Sequence, residues 1–138
     1  MSYSPCIDIK TENGDHILSC DFSRGGYLSL ESKLFDMMSD LIKQGWASYT
    51  EESKGLYPAV VKVHKANDLV KKIMMPIIEE IVADVATGFS LNWVESLYMC
   101  DFMIQEHEEQ IARLAASLET LKSYPSDEGF IVTAWGTL

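Results

Sequence analysis

Residues 6–22 read CIDIKTENGDHILSCDF, and this stretch decides the fold class. Asn13-Gly14 stands between two runs that alternate apolar and polar residues. Asn-Gly tolerates the positive φ that a two-residue type I′ hairpin turn requires. With that turn, Ile9 sits opposite Leu18 and Ile7 opposite Cys20, so Ile7, Ile9, Leu18, Cys20 and Phe22 share one face. Cys6, Asp8, Lys10, Ser19 and Asp21 point the other way, which separates Cys6 from Cys20 and excludes a disulfide within the hairpin. His16, just past the turn, is expected to be exposed.

Beyond the hairpin, Ser23-Arg24-Gly25-Gly26 reads as a turn into a short third strand, Tyr27 to Leu30. A helix follows, because Leu34, Met37, Met38, Leu41 and Ile42 recur at steps of three and four. Ser29 or Ser32 can cap its start, and Gly45 can end it in the left-handed conformation. Ala47 to Gly55 is polar and loop-like. Residues 57–64 fit a strand or the front of a helix, and the pattern favours a helix from about Ala66 to Ala86. Pro76 is expected to kink or split it, and Gly88 to stop it.

The last helix carries the longest periodic signal. Trp93, Leu97, Cys100, Ile104, His107, Ile111, Leu114, Leu118 and Leu121 form an unbroken heptad seam. Asn92 with Glu95, or Ser90, can cap its start, and Tyr124-Pro125 ends it. The half before Gln105 is apolar nearly all round and is expected to be buried. The half after it is apolar on one stripe, suited to the 66–86 helix or to a second copy of the chain. Phe130 to Trp135 has strand propensity and is expected to return to an edge of the N-terminal sheet. The expectation is a single α+β domain over residues 1–138. Its small antiparallel sheet, the N-terminal hairpin plus a C-terminal strand, packs against about three helices, the last one long and heptad-patterned.

The chain has 138 residues, 47% of them hydrophobic, which is enough for one core. Its formal net charge of −10 argues against nucleic acid and against anionic membrane surfaces, both of which select clustered Lys and Arg. No signal-peptide pattern and no membrane-spanning run is visible, and three cysteines without a C-x-x-C pair fit reduced thiols in a cytoplasm. The charge is unevenly spread. Residues 89–138 hold 8 acidic groups against 2 basic ones, whereas residues 59–88 hold 4 of each.

No G-x-S-x-G, H-E-x-x-H, G-x-G-x-x-G, P-loop or EF-hand pattern occurs, so no catalytic residue, metal or cofactor is assigned. Two sets of residues stand out for binding. Arg24, in a glycine turn whose amides can cup an anion, joins Trp46, Lys62, His64 and Lys65 as candidates for holding an anionic ligand. Each also has a plain reading as a surface charge or a packed aromatic. Glu106, His107, Glu108, Glu109 and Arg113 form the acidic end of the last helix and are candidates for a protein partner. A polar seam histidine and an ordinary Glu109–Arg113 pair are the simpler accounts of two of them.

Three functions follow as expectations. The first is a non-enzymatic acidic interaction protein, such as an inhibitor, an immunity factor or a phage-type accessory factor, that binds a basic partner surface. The second is a binding module that sequesters an anionic metabolite or nucleotide at subunit interfaces, since the 93–121 heptads suggest a homo-oligomer. The third is an enzyme without a standard motif.

Overall fold

The computed structural model describes residues 6–21, 28–51, 59–95 and 101–135, and among these it has five antiparallel strands and three helices. The elements run β1 (Cys6–Thr11), β2 (His16–Asp21), α1 (Leu28–Lys43), β3 (Ala47–Tyr49), β4 (Ala59–Val63), α2 (Asp68–Glu95), α3 (Asp101–Lys122) and β5 (Phe130–Trp135). The sheet order is β2-β1-β5-β4-β3, which confirms the α+β class.

The first hairpin keeps its expected pairing, Ile7 with Cys20 and Ile9 with Leu18, but not its expected turn. Type I′ requires positive φ at both central residues, and only Gly14 has it, at 95°. The Gly14 amide donates to the Thr11 carbonyl at 3.0 Å and the Thr11 amide to Asp15 at 2.8 Å, closing a loop over Glu12, Asn13 and Gly14. Lys10 therefore faces His16, and a bulge between that pair and Ile9–Leu18 restores the register. One consequence is that two successive residues, Ile17 and Leu18, are both buried.

Residues 28–30, expected as strand, open α1 instead. Leu30 and Leu34 are four residues apart and both buried, so the helical stripe of Leu34, Met37, Met38 and Leu41 reaches back through them. Ser29 and Ser32 lie inside the helix rather than at a cap. Its end is as expected. Gly45, with φ 78°, sends its amide to Ile42 at 3.0 Å while Trp46 reaches Leu41 at 3.0 Å, the paired bonds of a Schellman motif.

That reversal sends Ala47 to Tyr49 back along β4, so the first three residues of the expected loop are a strand, and residues 52–55 of it lie outside the described residues. The ladder is extended at both ends by Thr50 to Val60 at 3.0 Å and His64 to Trp46 at 2.9 Å. β4 resolves the ambiguity at 57–64 in favour of strand over Ala59–Val63. Val60, Val61 and Val63 are all buried, because β4 is flanked by strands on both sides. β5 is central, not at an edge, pairing with β1 on one side and β4 on the other. Apolar residues on both of its faces suit that place, with Phe130, Val132 and Ala134 buried toward the helices and Ile131 half-buried opposite.

α2 starts at Asn67, whose side-chain oxygen accepts the Val70 amide at 3.0 Å as an N-cap. It continues through Pro76 and Gly88, so neither the split nor the stop occurs. Val70, Met74, Ile78, Ile81, Val82 and Val85 are buried along one stripe. At about 1.5–3 kcal/mol for each fully buried side chain, that stripe outweighs the roughly 3 kcal/mol that an interior proline costs. Because Pro76 itself is exposed, Pro76→Ala is expected to raise stability by about 1–3 kcal/mol, read as a higher urea midpoint at unchanged slope.

Residues 92–95 still belong to α2, so Asn92 is not a cap and the Trp93–Leu121 seam is divided between two helices. Cys100, Phe22, Tyr57 and the side chains of the early seam lie outside the described residues. The later stripe is used within the chain. Leu114 and Leu121 are buried in the core and Leu118 packs against it, facing α2 and β2. Lys71 of α2 donates to the carbonyls of Lys122 and Tyr124 at 2.9 and 2.6 Å, holding the C-terminal end of α3.

Candidate functional site

β2 ends the sheet order, so its outer edge meets no strand among the described residues. α3 lies beside it and α2 beneath, and between them runs a groove of about 370 Å³. His16, Ile17, Leu18, Ser19 and Cys20 line one wall. His16 and Ser19 are exposed while Ile17, Leu18 and Cys20 are buried, and a cavity that follows the strand's edge accounts for a wall made of all five. The other wall is Gln110, Arg113, Leu114 and Ser117, at helical steps of three and one, with Val85 at the base. Among the described residues Arg113 has no ion pair. The expected partner, Glu109, instead accepts from Gln105 at 3.4 Å. Glu106, Glu108 and Glu109 are exposed on the turns before Arg113.

A second hollow, about 380 Å³, opens at the turn end of the sheet between Thr11, Glu12, Asn13, His64, Tyr124, Asp127, Glu128 and Gly129. Three carboxylates line it. Lys62 faces Glu12 at 3.6 Å, and Tyr124 Oη donates to the Gly129 carbonyl at 3.0 Å. Among the described residues no group of three or more His, Cys, Asp or Glu side chains is placed to hold a metal ion. Burial pushes the Tyr124 phenol above its ordinary value, and the Glu128 carboxylate adds to the shift. The folded chain thus keeps this proton where the unfolded chain loses it. The stabilisation is full below about pH 10 and falls as pH rises through the folded value. An alkaline absorbance titration is expected to show a late-titrating tyrosine component that Tyr124→Phe removes.

The sequence-derived candidates are scattered around these features. Trp46 is half-buried against the core, and its carbonyl accepts the His64 amide, which puts the two side by side. Lys62, His64 and Lys65 are exposed at that same end of the sheet, close to the carboxylate-lined hollow. Arg24 lies outside the described residues, as does the side chain of His107. Lys62 faces Glu12, and Lys71, the next lysine along the chain after Lys65, is committed to the end of α3. Tyr49 is 53% exposed on β3.

His16 donates to Asp8 at 2.9 Å on the open face of the sheet. Neither side chain bonds anything further among the described residues. The groove is what sequence reading missed, except for Arg113. Gln110, Ser117 and β2 carry no local signal for it, because an edge is a property of strand order.

No helix among the described residues is long and apolar enough to cross a membrane. Comparison with protein-family models, curated proteins and solved structures gives no match.

Proposed function

We propose that this chain is a non-enzymatic interaction module that binds a protein partner through the α3 side of the molecule. One observation carries the reading: the β2–α3 groove stands beside two exposed carboxylates, Glu106 and Glu109, with a third, Glu108, exposed on the other face of α3. None of the three has a Lys or Arg within ion-pair distance among the described residues. Such a surface steers and selects a partner whose rim is basic. An inhibitor, immunity factor or phage-type accessory factor fits this description, as does a cytoplasmic setting.

Reversing all three charges is expected to abolish partner binding while leaving thermal stability within about 0.5 kcal/mol, since exposed charges contribute little to folding. Affinity capture at low and at high salt, followed by mass spectrometry, compares the two forms. A partner held equally by the native and reversed forms, or unaffected by salt, sinks the proposal.

A second reading, a module for a small anionic molecule, is favoured by Arg113, which has no ion pair among the described residues and lines a cavity within the range of about 300–1,000 Å³ typical of ligand sites. A thermal-shift panel of nucleotides and acidic metabolites separates the two, because only this reading expects a hit that Arg113→Ala removes. A homo-oligomer through residues 93–121 is a weaker proposal, because Leu114, Leu118 and Leu121 are covered by the chain's own core.

A further inference from the structure

We propose that the groove beside β2 admits an extended segment of the partner as a sixth strand, with apolar side chains at alternate positions and a carboxylate at Arg113. This rests on the interaction-module reading and adds the mode of binding.

Two features of the groove select an extended peptide over a helix or a rigid ring. One wall is strand edge rather than strand face, and along His16 to Ser19 no strand neighbour occupies it among the described residues. An edge of this kind presents amide N–H and carbonyl groups at the spacing of a strand, a template for main-chain pairing. The two walls also match in length. Residues 16–20 extend over about 13 Å at strand rise, and residues 110–117 over about 10 Å at helical rise, so strand and helix flank the groove together.

An added strand places every second side chain toward α3. There it meets Leu18, Val85 and Leu114, all buried and apolar. The intervening side chains emerge on the open face beside Asp8 and Ser19, where polar residues are expected. Arg113 fixes the charge. Its guanidinium lines the groove without an ion pair among the described residues, and a carboxylate of the segment satisfies it in bidentate geometry. Glu106 and Glu109 stand seven and four residues before Arg113 on the same side of α3. The basic rim of the partner meets them just beyond the end of the segment.

The probe is an acetylated and amidated peptide, Val-Thr-Val-Thr-Asp-Thr, whose valines and aspartate share one side of the extended chain. Hydrogen exchange read by NMR on the full chain is expected to show slower exchange at amides of residues 16–19 when the peptide is added. Arg113→Glu is expected to weaken binding about tenfold or more, the worth of one charge-assisted pair. Methylating every second amide of the peptide, in either register, tests pairing itself, and at least one register is expected to abolish binding. Ser117→Trp, which fills the groove from the helix side, is expected to block it.

Unchanged exchange at β2 with millimolar peptide overturns the inference. So does equal binding of both methylated peptides, which would mean a pocket for side chains without strand pairing. Protection of residues 16–19 that grows with chain concentration in the absence of peptide also overturns it, assigning the edge to a second copy of this chain. Loss of partner capture on reversing Glu106, Glu108 and Glu109 bears on the interaction reading alone, so the two can fail separately.

Discussion

Phe130→Ala is expected to lower the unfolding free energy by about 3–5 kcal/mol, the range for emptying a fully buried aromatic site. Phe130 is 1% exposed and is among the largest fully buried side chains. It opens β5, opposite Thr11 of β1 and Val63 of β4, so its ring lies where the two hairpins are joined. Tyr124 meets it edge-on, with ring centroids 5.6 Å apart at 89°, which adds about 0.5–1.5 kcal/mol beyond buried area. For a domain stable by about 5–15 kcal/mol, the loss is a large share of the total and shifts Tm by roughly 10 °C or more. Urea unfolding followed by far-UV circular dichroism measures it. Ile131→Ala, half-buried on the opposite face, is the control and is expected to cost less. A loss below about 1 kcal/mol for Phe130→Ala would place β5 outside the core and refute the central position.

The second large effect is expected one residue earlier. A Cβ at Gly129 would lie 2.5 Å from the Val63 carbonyl oxygen and 2.6 Å from that of His64. Both are main-chain atoms at the end of β4, so relief requires moving the β4–α2 junction or the loop that leads into β5. That loop is anchored by the Ala66 amide on the Glu128 carbonyl at 2.8 Å and by Tyr124 Oη on Gly129. Gly129→Ala is therefore expected to cost about 3 kcal/mol or more, at the upper end of overpacking effects. The third close atom, Glu12 Oε1 at 2.9 Å, belongs to a side chain that can swing away. Adding Glu12→Ala should recover little. Recovery of most of the loss in the double variant would locate the strain at Glu12 and contradict the backbone contact.

Local chemistry made part of this fold readable. Alternation in residues 6–21 set the β1–β2 register, because one buried face forbids a one-residue slip. Helical spacing and Gly45 marked the body and end of α1, and the helical step placed the start of α2 near Ala66, one residue before its Asn67 cap. Boundaries failed where two local patterns competed. The strand expected over Tyr27 to Leu30 gave way at residues 28–30 to a helical stripe that buries Leu30, Tyr27 lying outside the described residues, and an exposed proline was overruled by the stripe it interrupts. The heptads from Trp93 were read as one helix because the period of three and four runs through them, whereas Trp93 to Glu95 belong to α2 and α3 is described from Asp101.

The candidate site was less legible. Glu106, Glu108, Glu109 and Arg113 were visible as an uneven charge distribution, but the groove beside them was not. Its other wall is nearly a hundred residues away in the chain, and that wall is open only because β5 inserts between β1 and β4 and leaves β2 outermost.

By itself the sequence determined the α+β class, the hairpin pairing, the helix-forming stripes and the concentration of acid in the last third. Each follows from side-chain period or charge within a short window. The strand order, the central place of β5, the covering of the Leu114–Leu121 stripe and the edge groove were decided by tertiary structure alone. They depend on which apolar faces meet across long separations, and alternation along a strand is the same whether its neighbours are two strands or one.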